Sequence, residues 1–201
     1  MGSFDSFPNM LDPIHSYIGG TDRNAVTETV EYQVIKEMDN VEIRKYPTII
    51  LARVDGLPDE YAFRILFNYI TGQNKAHKEV AMTTPVISTG PTYERIAMTR
   101  PVISDDRSFS FVMPSTYTIS TVPEPLDDRV KISEIRGRTL AVLRFSGRTY
   151  DDAVKSRELE LMGIIAKNSI RTKGSPFLMR YNGPFTIGLL RRNEMAVEVE
   201  T

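Results

Sequence analysis

The chain has 201 residues, enough for one sizeable core or two small ones, and its 41% hydrophobic and 25% charged content is that of an ordinary globular protein. Its formal charge of −1 gives no bulk electrostatic reason to expect a nucleic-acid or charged-membrane partner. The absence of cysteine excludes disulfides, thiolate metal sites and cysteine nucleophiles, and it suits a reducing, cytoplasmic setting. No apolar run approaches the ~20 residues of a membrane span, and no basic start with an apolar core marks a signal peptide.

Residues 1–29 are rich in Ser, Asp, Asn and Gly, with scattered apolar residues and no period. They read as an irregular extension, partly disordered, that docks by a few aromatics. Its first six residues match the loose pattern for N-myristoylation at Gly2, a match that chance or an expression scar also produces. From Val30 the pattern turns strand-like over 32–38 and 41–46, with Asp39-Asn40 as a hairpin turn, and again over 48–56. The segment 59–71 predicts an amphipathic helix. Ala62, Phe63, Leu66, Phe67 and Ile70 make its apolar stripe, Asp59 is the expected N-cap, and Gly72 stands where a left-handed residue ends it. Further strands are predicted over 80–87, 93–103, 108–113, 130–135, 138–145, 177–181 and 194–200, with a loop over 115–128. A second helix follows Gly147. Thr149 is its candidate N-cap, Asp152 completes an approximate capping box, and Val154, Leu161, Met162, Ile164 and Ile165 form its stripe.

The segment 47–56 (PTIILARVDG) aligns without gaps on 138–147 (RTLAVLRFSG). In each half a strand pair leads into a helix and then into more strands. Two such halves, each apolar on one face, bury those faces best against each other. The expected fold is α+β: a distorted antiparallel β-barrel of two pseudo-symmetric sheet halves flanked by two helices, in one domain over 30–201. A shorter near-copy, AMTTPVIS at 81–88 and AMTRPVIS at 97–104, reads as two neighbouring strands with Pro at an edge or bulge.

Four groups of residues carry a resemblance. The first is Ala62-Phe63, Leu66, Tyr69-Ile70, Gly72 and Asn74 with Ala81-Met82-Thr83-Thr84-Pro85-Val86. The second is Glu42-Ile43-Arg44-Lys45-Tyr46-Pro47, and the third Phe145-Ser146-Gly147. The fourth is Tyr181-Asn182 with Pro184 and Arg191-Arg192-Asn193-Glu194. In this order they resemble the SOUL haem-binding protein family from about Val30 onward. The resemblance implies a non-covalent haem or another tetrapyrrole, held in an apolar groove beside the first helix. Phe63, Phe67 and Ile70 would face that groove, Met82, Met98 and Met113 would line it, and Arg64 is the cation within the helix.

Lys45 lies on a strand face after Val41 and Ile43. It reads either as a snorkelling rim lysine or as a partner for a ligand carboxylate. Some family members carry there a histidine proposed as an axial ligand, and a protonated lysine does not ligate iron. The histidines His15 and His77 fall in polar loops, so no protein metal site is expected. The methionines serve equally as core filler or as pocket lining. Strand alternation puts Glu194 with Ala196, Glu198 and Glu200 on a polar face opposite Met195, Val197 and Val199, which predicts a solvated carboxylate. The sharper alternative makes Glu194 a buried acid in the ligand cavity, as in GyrI-like domains of similar architecture. No catalytic triad, Gly-x-Ser-x-Gly elbow or phosphate-binding loop occurs. The readings that remain are a binder of a small hydrophobic ligand such as a tetrapyrrole, a GyrI-like small-molecule binder, and an enzyme (a hydrolase or a tetrapyrrole-modifying activity) that uses Glu194 or a Tyr in the same cavity.

Overall fold

The computed structural model of the protein describes residues 28–76, 95–96, 98–105, 107–182 and 186–200. Eleven strands and two α-helices follow one another as β1 (Gln33–Met38), β2 (Val41–Lys45), β3 (Ile49–Asp55), α1 (Asp59–Ile70), β4 (Asn74–Lys75), β5 (Val102–Ser104), β6 (Ser108–Val112), β7 (Glu124–Pro125), β8 (Lys131–Ile135), β9 (Thr139–Phe145), α2 (Asp151–Lys167), β10 (Thr172–Arg180) and β11 (Asn193–Val199). The strand expected over 80–87 lies outside the described residues, as do Met82, His15 and His77. Among the described residues of the strand expected over 93–103, Val102 and Ile103 lie in a strand, β5, directly after the cis Arg100–Pro101 bond.

Nine strands make one antiparallel sheet in the order β1-β2-β9-β11-β10-β5-β6-β3-β8, curled into a half-barrel. The two repeated segments form β3 and β9, the hearts of the two halves. Each ends in a glycine with positive φ, Gly56 at 70° and Gly147 at 114°, a conformation that costs glycine nothing and that turns the chain toward its helix. The strands that precede them cross over. β2 does not pair with β3 but with β9, Ile43 opposite Ala141; β8 does not pair with β9 but with β3, Ile132 opposite Ala52. Each half is therefore completed by a strand of the other, and the two share one nine-stranded sheet.

Three apolar clusters follow from strand alternation. Ile50, Ala52 and Val54 of β3 pack with Phe109 and Phe111 of β6 beneath Ala62, Leu66, Tyr69 and Ile70 of α1. Ala141, Leu143 and Phe145 of β9 pack with Val41, Ile43, Met195 and Val197 beneath Leu161 and Ile165 of α2. The opposite sheet face carries Leu51, Ile103, Val112, Leu140, Val142, Phe177, Met179 and Ala196 in a third cluster on the concave side. Strands buried on both faces explain the unbroken apolar runs of the two repeats.

Neither helix starts on the side-chain cap that its sequence suggests. Pro58 and Tyr150 occupy the N-cap positions, without side-chain capping bonds. Asp59 instead pairs with Arg180 at 3.1 Å, and the Thr149 hydroxyl accepts a hydrogen bond from Arg180 Nε at 3.4 Å. One arginine on β10 thus takes both capping groups and ties the starts of α1 and α2 together. The far end of α1 is held by Tyr69, whose buried hydroxyl donates to the Pro123 carbonyl at 2.7 Å. Tyr69→Phe would leave that carbonyl without its phenol donor and is expected to cost about 1–3 kcal/mol. Urea denaturation measures it; an unchanged midpoint would show that the loop over 115–128 does not depend on this bond.

Candidate functional site

Two places in the fold gather chemistry, and the first is on the concave face. Glu42, Arg44 and Tyr46 alternate on the side of β2 that faces away from α2. They meet Glu194 at the start of β11 and Tyr181 just beyond β10. Glu194 is fully buried, which corrects the expectation of a solvated carboxylate. Alternation does place it beside Ala196, but in a curled sheet that face is the inner one.

The carboxylate is completely occupied. Glu194 Oε2 accepts from Arg44 Nη1 at 2.8 Å and from the Tyr181 hydroxyl at 2.7 Å. Its Oε1 accepts from Arg192 Nε at 3.0 Å and Nη2 at 2.7 Å. Four donors fill the roughly four lone-pair sites of a carboxylate. Arg44 is also bonded to Glu42 at 2.6 Å and to the Tyr46 hydroxyl at 3.2 Å, and its guanidinium lies 4.2 Å from the centroid of the Tyr32 ring. Arg192 stacks over Tyr181 at 4.1 Å. Two guanidiniums against two carboxylates leave the cluster electrically balanced. Burial pushes the Tyr181 phenol far above its ordinary pKa, and the neighbouring Glu194 charge adds to the rise. Burial likewise raises Tyr46, against the opposing pull of Arg44. Burial alone would lower the Arg44 pKa, yet its bonds to Tyr46 and Glu194 outweigh that, and it rises.

The rest of the concave face is apolar and nearly full. Tyr46, Ile49, Ile103, Val112, Leu140 and Met179 enclose a cavity of about 10 Å³, with Val30 and Arg138 at its lining. That volume admits about one water molecule. The cluster can hold the inner ends of β2, β10 and β11 together. It offers neither a free lone pair for a proton transfer nor space for a substrate.

The second place lies along α1. Leu57, Tyr61, Arg64, Ile65 and Asn68 form one wall of a cleft of about 300 Å³, and Gln73, Asp127 and Arg129 form the other. This is the lower end of the size range of small-molecule sites. Leu57, Tyr61 and Ile65 give it an apolar floor, and Arg64 and Arg129 bring cations to its edge. Arg64 makes a long exposed contact with Glu60, at 3.9 Å, and its guanidinium lies 5.9 Å from the centroid of the Tyr61 ring, while Arg129 is bonded to Asp127 at 2.6 Å.

The residues singled out in the sequence divide between these settings. Phe63, Phe67, Ile70, Met98 and Met113 come together in the cluster beneath and beside α1. Ile70 and Met113 are buried there. Phe63 and Phe67 are half-buried and stacked, with centroids 5.8 Å apart, and Phe63 meets Phe111 edge-on at 5.5 Å. They flank the side of the helix away from Tyr61 and Ile65. Arg64 lines the cleft. Lys45 is exposed at the end of β2, on the face whose Val41 and Ile43 pack beneath α2, and is not brought to α1. Sequence reading passed over Tyr61, Ile65, Asn68 and Arg129 as cleft residues. The signal for Tyr61, Ile65 and Asn68 was the outer flank of an amphipathic helix, which is also what a solvated surface looks like, and Arg129 stands in a loop that carries no period.

Among the described residues no group of three or more His, Asp or Glu side chains is placed to hold a metal ion, and no helix is long and apolar enough to cross a membrane.

Comparison with known proteins adds the following. No curated protein matches the sequence. Among solved structures, the C-terminal domain of EcmrR superposes with a TM-score of 0.52 at 15% identity over 84% of this chain and 98% of that one, a likeness of fold alone. A hydrolase from Listeria innocua gives 0.48 at 12% identity over 94% and 98%, and EcmrR in its DNA complex gives 0.49 at 12% over 95% and 65%. These two are too distant to support an argument. The SOUL heme-binding protein family matches residues 27–198, nearly the whole of the described fold. This chain belongs to the SOUL heme-binding protein family.

Proposed function

We propose that the protein binds a tetrapyrrole, with haem the first candidate, along the outer flank of α1. The observation that carries this reading is the cleft of about 300 Å³ with an apolar floor and arginines at its edge. A flat macrocycle with carboxylate arms needs apolar area first and a few placed cations second. Leu57, Tyr61 and Ile65 would cover one face of the ring, and Arg64 and Arg129 would take the carboxylates by charge-assisted hydrogen bonds. Asn68 and Gln73 add neutral donors. Ile70 and Met113 hold the helix from below, and the stacked Phe63 and Phe67 stiffen its other flank. The described cleft residues include no imidazole and no thioether. They therefore suit the face and carboxylates of the macrocycle rather than its metal; an iron, when present, would supply the redox and ligand-exchange chemistry.

The GyrI-like reading with Glu194 as the acid of its cavity, and the enzymatic reading with Glu194 as acid or base, need that carboxylate to be available. Its four donors and the filled concave face argue against each.

The test is a haem titration of the purified apo protein, followed by absorbance in the Soret region. We expect saturation at one equivalent. Tyr61→Ala and Arg64→Glu should each weaken binding about tenfold, the equivalent of about 1.4 kcal/mol. Non-saturating uptake, or saturation that both variants leave untouched, would remove the α1 cleft as the site.

A further inference from the structure

The link between β10 and β11 ends in a one-turn 3-10 helix, Gly188–Leu190. Around it Ile187 is 68% exposed, Leu189 84% and Leu190 70%, and Tyr150 nearby is 60% exposed. Large aliphatic side chains this exposed and this close together are uncommon on a monomer that meets only water.

The turn is firmly built. Leu190 N donates to Ile187 O at 2.9 Å, Arg191 N to Gly188 O at 3.0 Å, and Arg191 Nε to Thr186 O at 2.8 Å. Gly147 N donates to Gly188 O at 3.1 Å, which fastens the turn to the junction of β9 and α2. The aliphatic groups are thus held outward and are not free to fold back. At their base the Arg148 stem runs beside Gly188, 3.5 Å from where a Cβ would stand, and its guanidinium donates to the Tyr150 hydroxyl at 2.7 Å. Arg148 has the Tyr150 hydroxyl and no carboxylate as its partner among the described residues, and Arg144 is exposed at the same end of β9. Arg144 and Arg148 thus bring two exposed cations to the tip, beside Asp151 and Asp152 at the start of α2.

We propose that this tip docks the protein onto an anionic lipid bilayer. Ile187, Leu189 and Leu190 enter the boundary between headgroups and acyl chains, and Tyr150 sits at headgroup level. Arg148 and Arg144 face the phosphates, their stems running along the apolar surface. A bilayer suits this surface better than a protein groove does. The tip is aliphatic and carries no directional polar pattern that a folded partner could read, while the exposed Arg148 and Arg144 complement an acidic headgroup layer. The proposal is independent of the tetrapyrrole reading.

The chain contains no tryptophan, so Leu189→Trp places a single reporter at the tip. The full chain carrying it is mixed with vesicles of equimolar phosphatidylcholine and phosphatidylglycerol. We expect its emission to shift to the blue and to be quenched by acyl-chain-brominated lipid. Adding Leu190→Asp should weaken partitioning at least about tenfold, because an aspartate at the headgroup boundary meets both the apolar and the electrostatic penalty. Arg148→Glu should weaken it several-fold. Both sites are exposed, so the thermal midpoint should stay at that of the parent and report that the fold is intact. The same emission with and without vesicles overturns the proposal, and so does a blue shift that Leu190→Asp leaves in place.

Discussion

Glu194→Ala is expected to destabilise the protein by about 3–5 kcal/mol, the cost of leaving a buried charge without its partner. The side chain is fully buried and receives four hydrogen bonds, and Arg44 beside it is also buried. Removing the carboxylate strands the Arg44 guanidinium with Glu42 at its outer edge and only the Tyr46 hydroxyl within. Arg192 suffers less, because it is partly exposed and can turn to water. Against the 5–15 kcal/mol that usually holds a domain together, the loss is large. Urea denaturation at neutral pH measures it directly. The double variant Arg44→Met/Glu194→Leu gives the sharper result. Replacing both ions by apolar groups removes the stranded charge, so much of the lost stability should return. A double variant as unstable as the sum of its parts would mean that the cluster acts through packing and not through charge.

The same cluster shows what was legible in the sequence and what was not. Elements were legible wherever one face of a segment was apolar and the other polar. The hairpin at Asp39, the helix that became α1 and the two repeated strands all read correctly, because a two-fold or 3.6-fold period survives in the order of residues. The pseudo-symmetry was legible from the repeat alone, but the strand exchange that locks β2 onto β9 and β8 onto β3 was not. Pairing partners distant in sequence leave no local trace. The setting of Glu194 was misread for a related reason. A strand in a curled sheet has two covered faces, and Glu42, Arg44 and Glu194 can occupy the inner one only because their charges cancel across strands. Alternation sees each strand singly and assigns charged residues to water. A signal was nonetheless present. Arg44, Tyr46, Gly147, Tyr181, Asn182, Arg192, Asn193 and Glu194 all belong to the motifs that carried the family resemblance. In the structure they meet: Asn193 Nδ2 donates to the Gly147 carbonyl at 3.0 Å, and Asn182 Oδ1 accepts from the Arg192 amide at 2.7 Å. Much of the family signature is thus the polar joint of the half-barrel. This explains why it identifies the fold so well and the ligand so poorly.

That joint should also set the alkaline limit of the protein. In an unfolded chain a tyrosine phenol ionises near pH 10. In the folded protein burial holds Tyr46 and Tyr181 protonated beyond that point, with the Glu194 carboxylate opposing a second negative charge at Tyr181. Above about pH 10 the folded state therefore keeps protons that the unfolded state releases. Stability is fully present below that pH and falls as pH rises through it. The slope is about 1.4 kcal/mol per pH unit for each phenol, or about 2.7 kcal/mol per unit for the pair. A protein of ordinary stability would then unfold within a few pH units of its tyrosine range. Denaturation midpoints collected from neutral pH upward give the slope, and tyrosinate absorbance shows whether the two phenols ionise only on unfolding. Tyr181→Phe should halve the slope while also lowering stability at neutral pH by about 1.5–3 kcal/mol, since it removes a hydrogen bond to a charged group. Two opposite effects of one substitution are hard to mimic: less stable where the wild type is strong, less pH-sensitive where it is weak. If Tyr181→Phe lowers the neutral stability but leaves the alkaline slope as steep as before, the phenols that control the alkaline transition lie elsewhere in the chain.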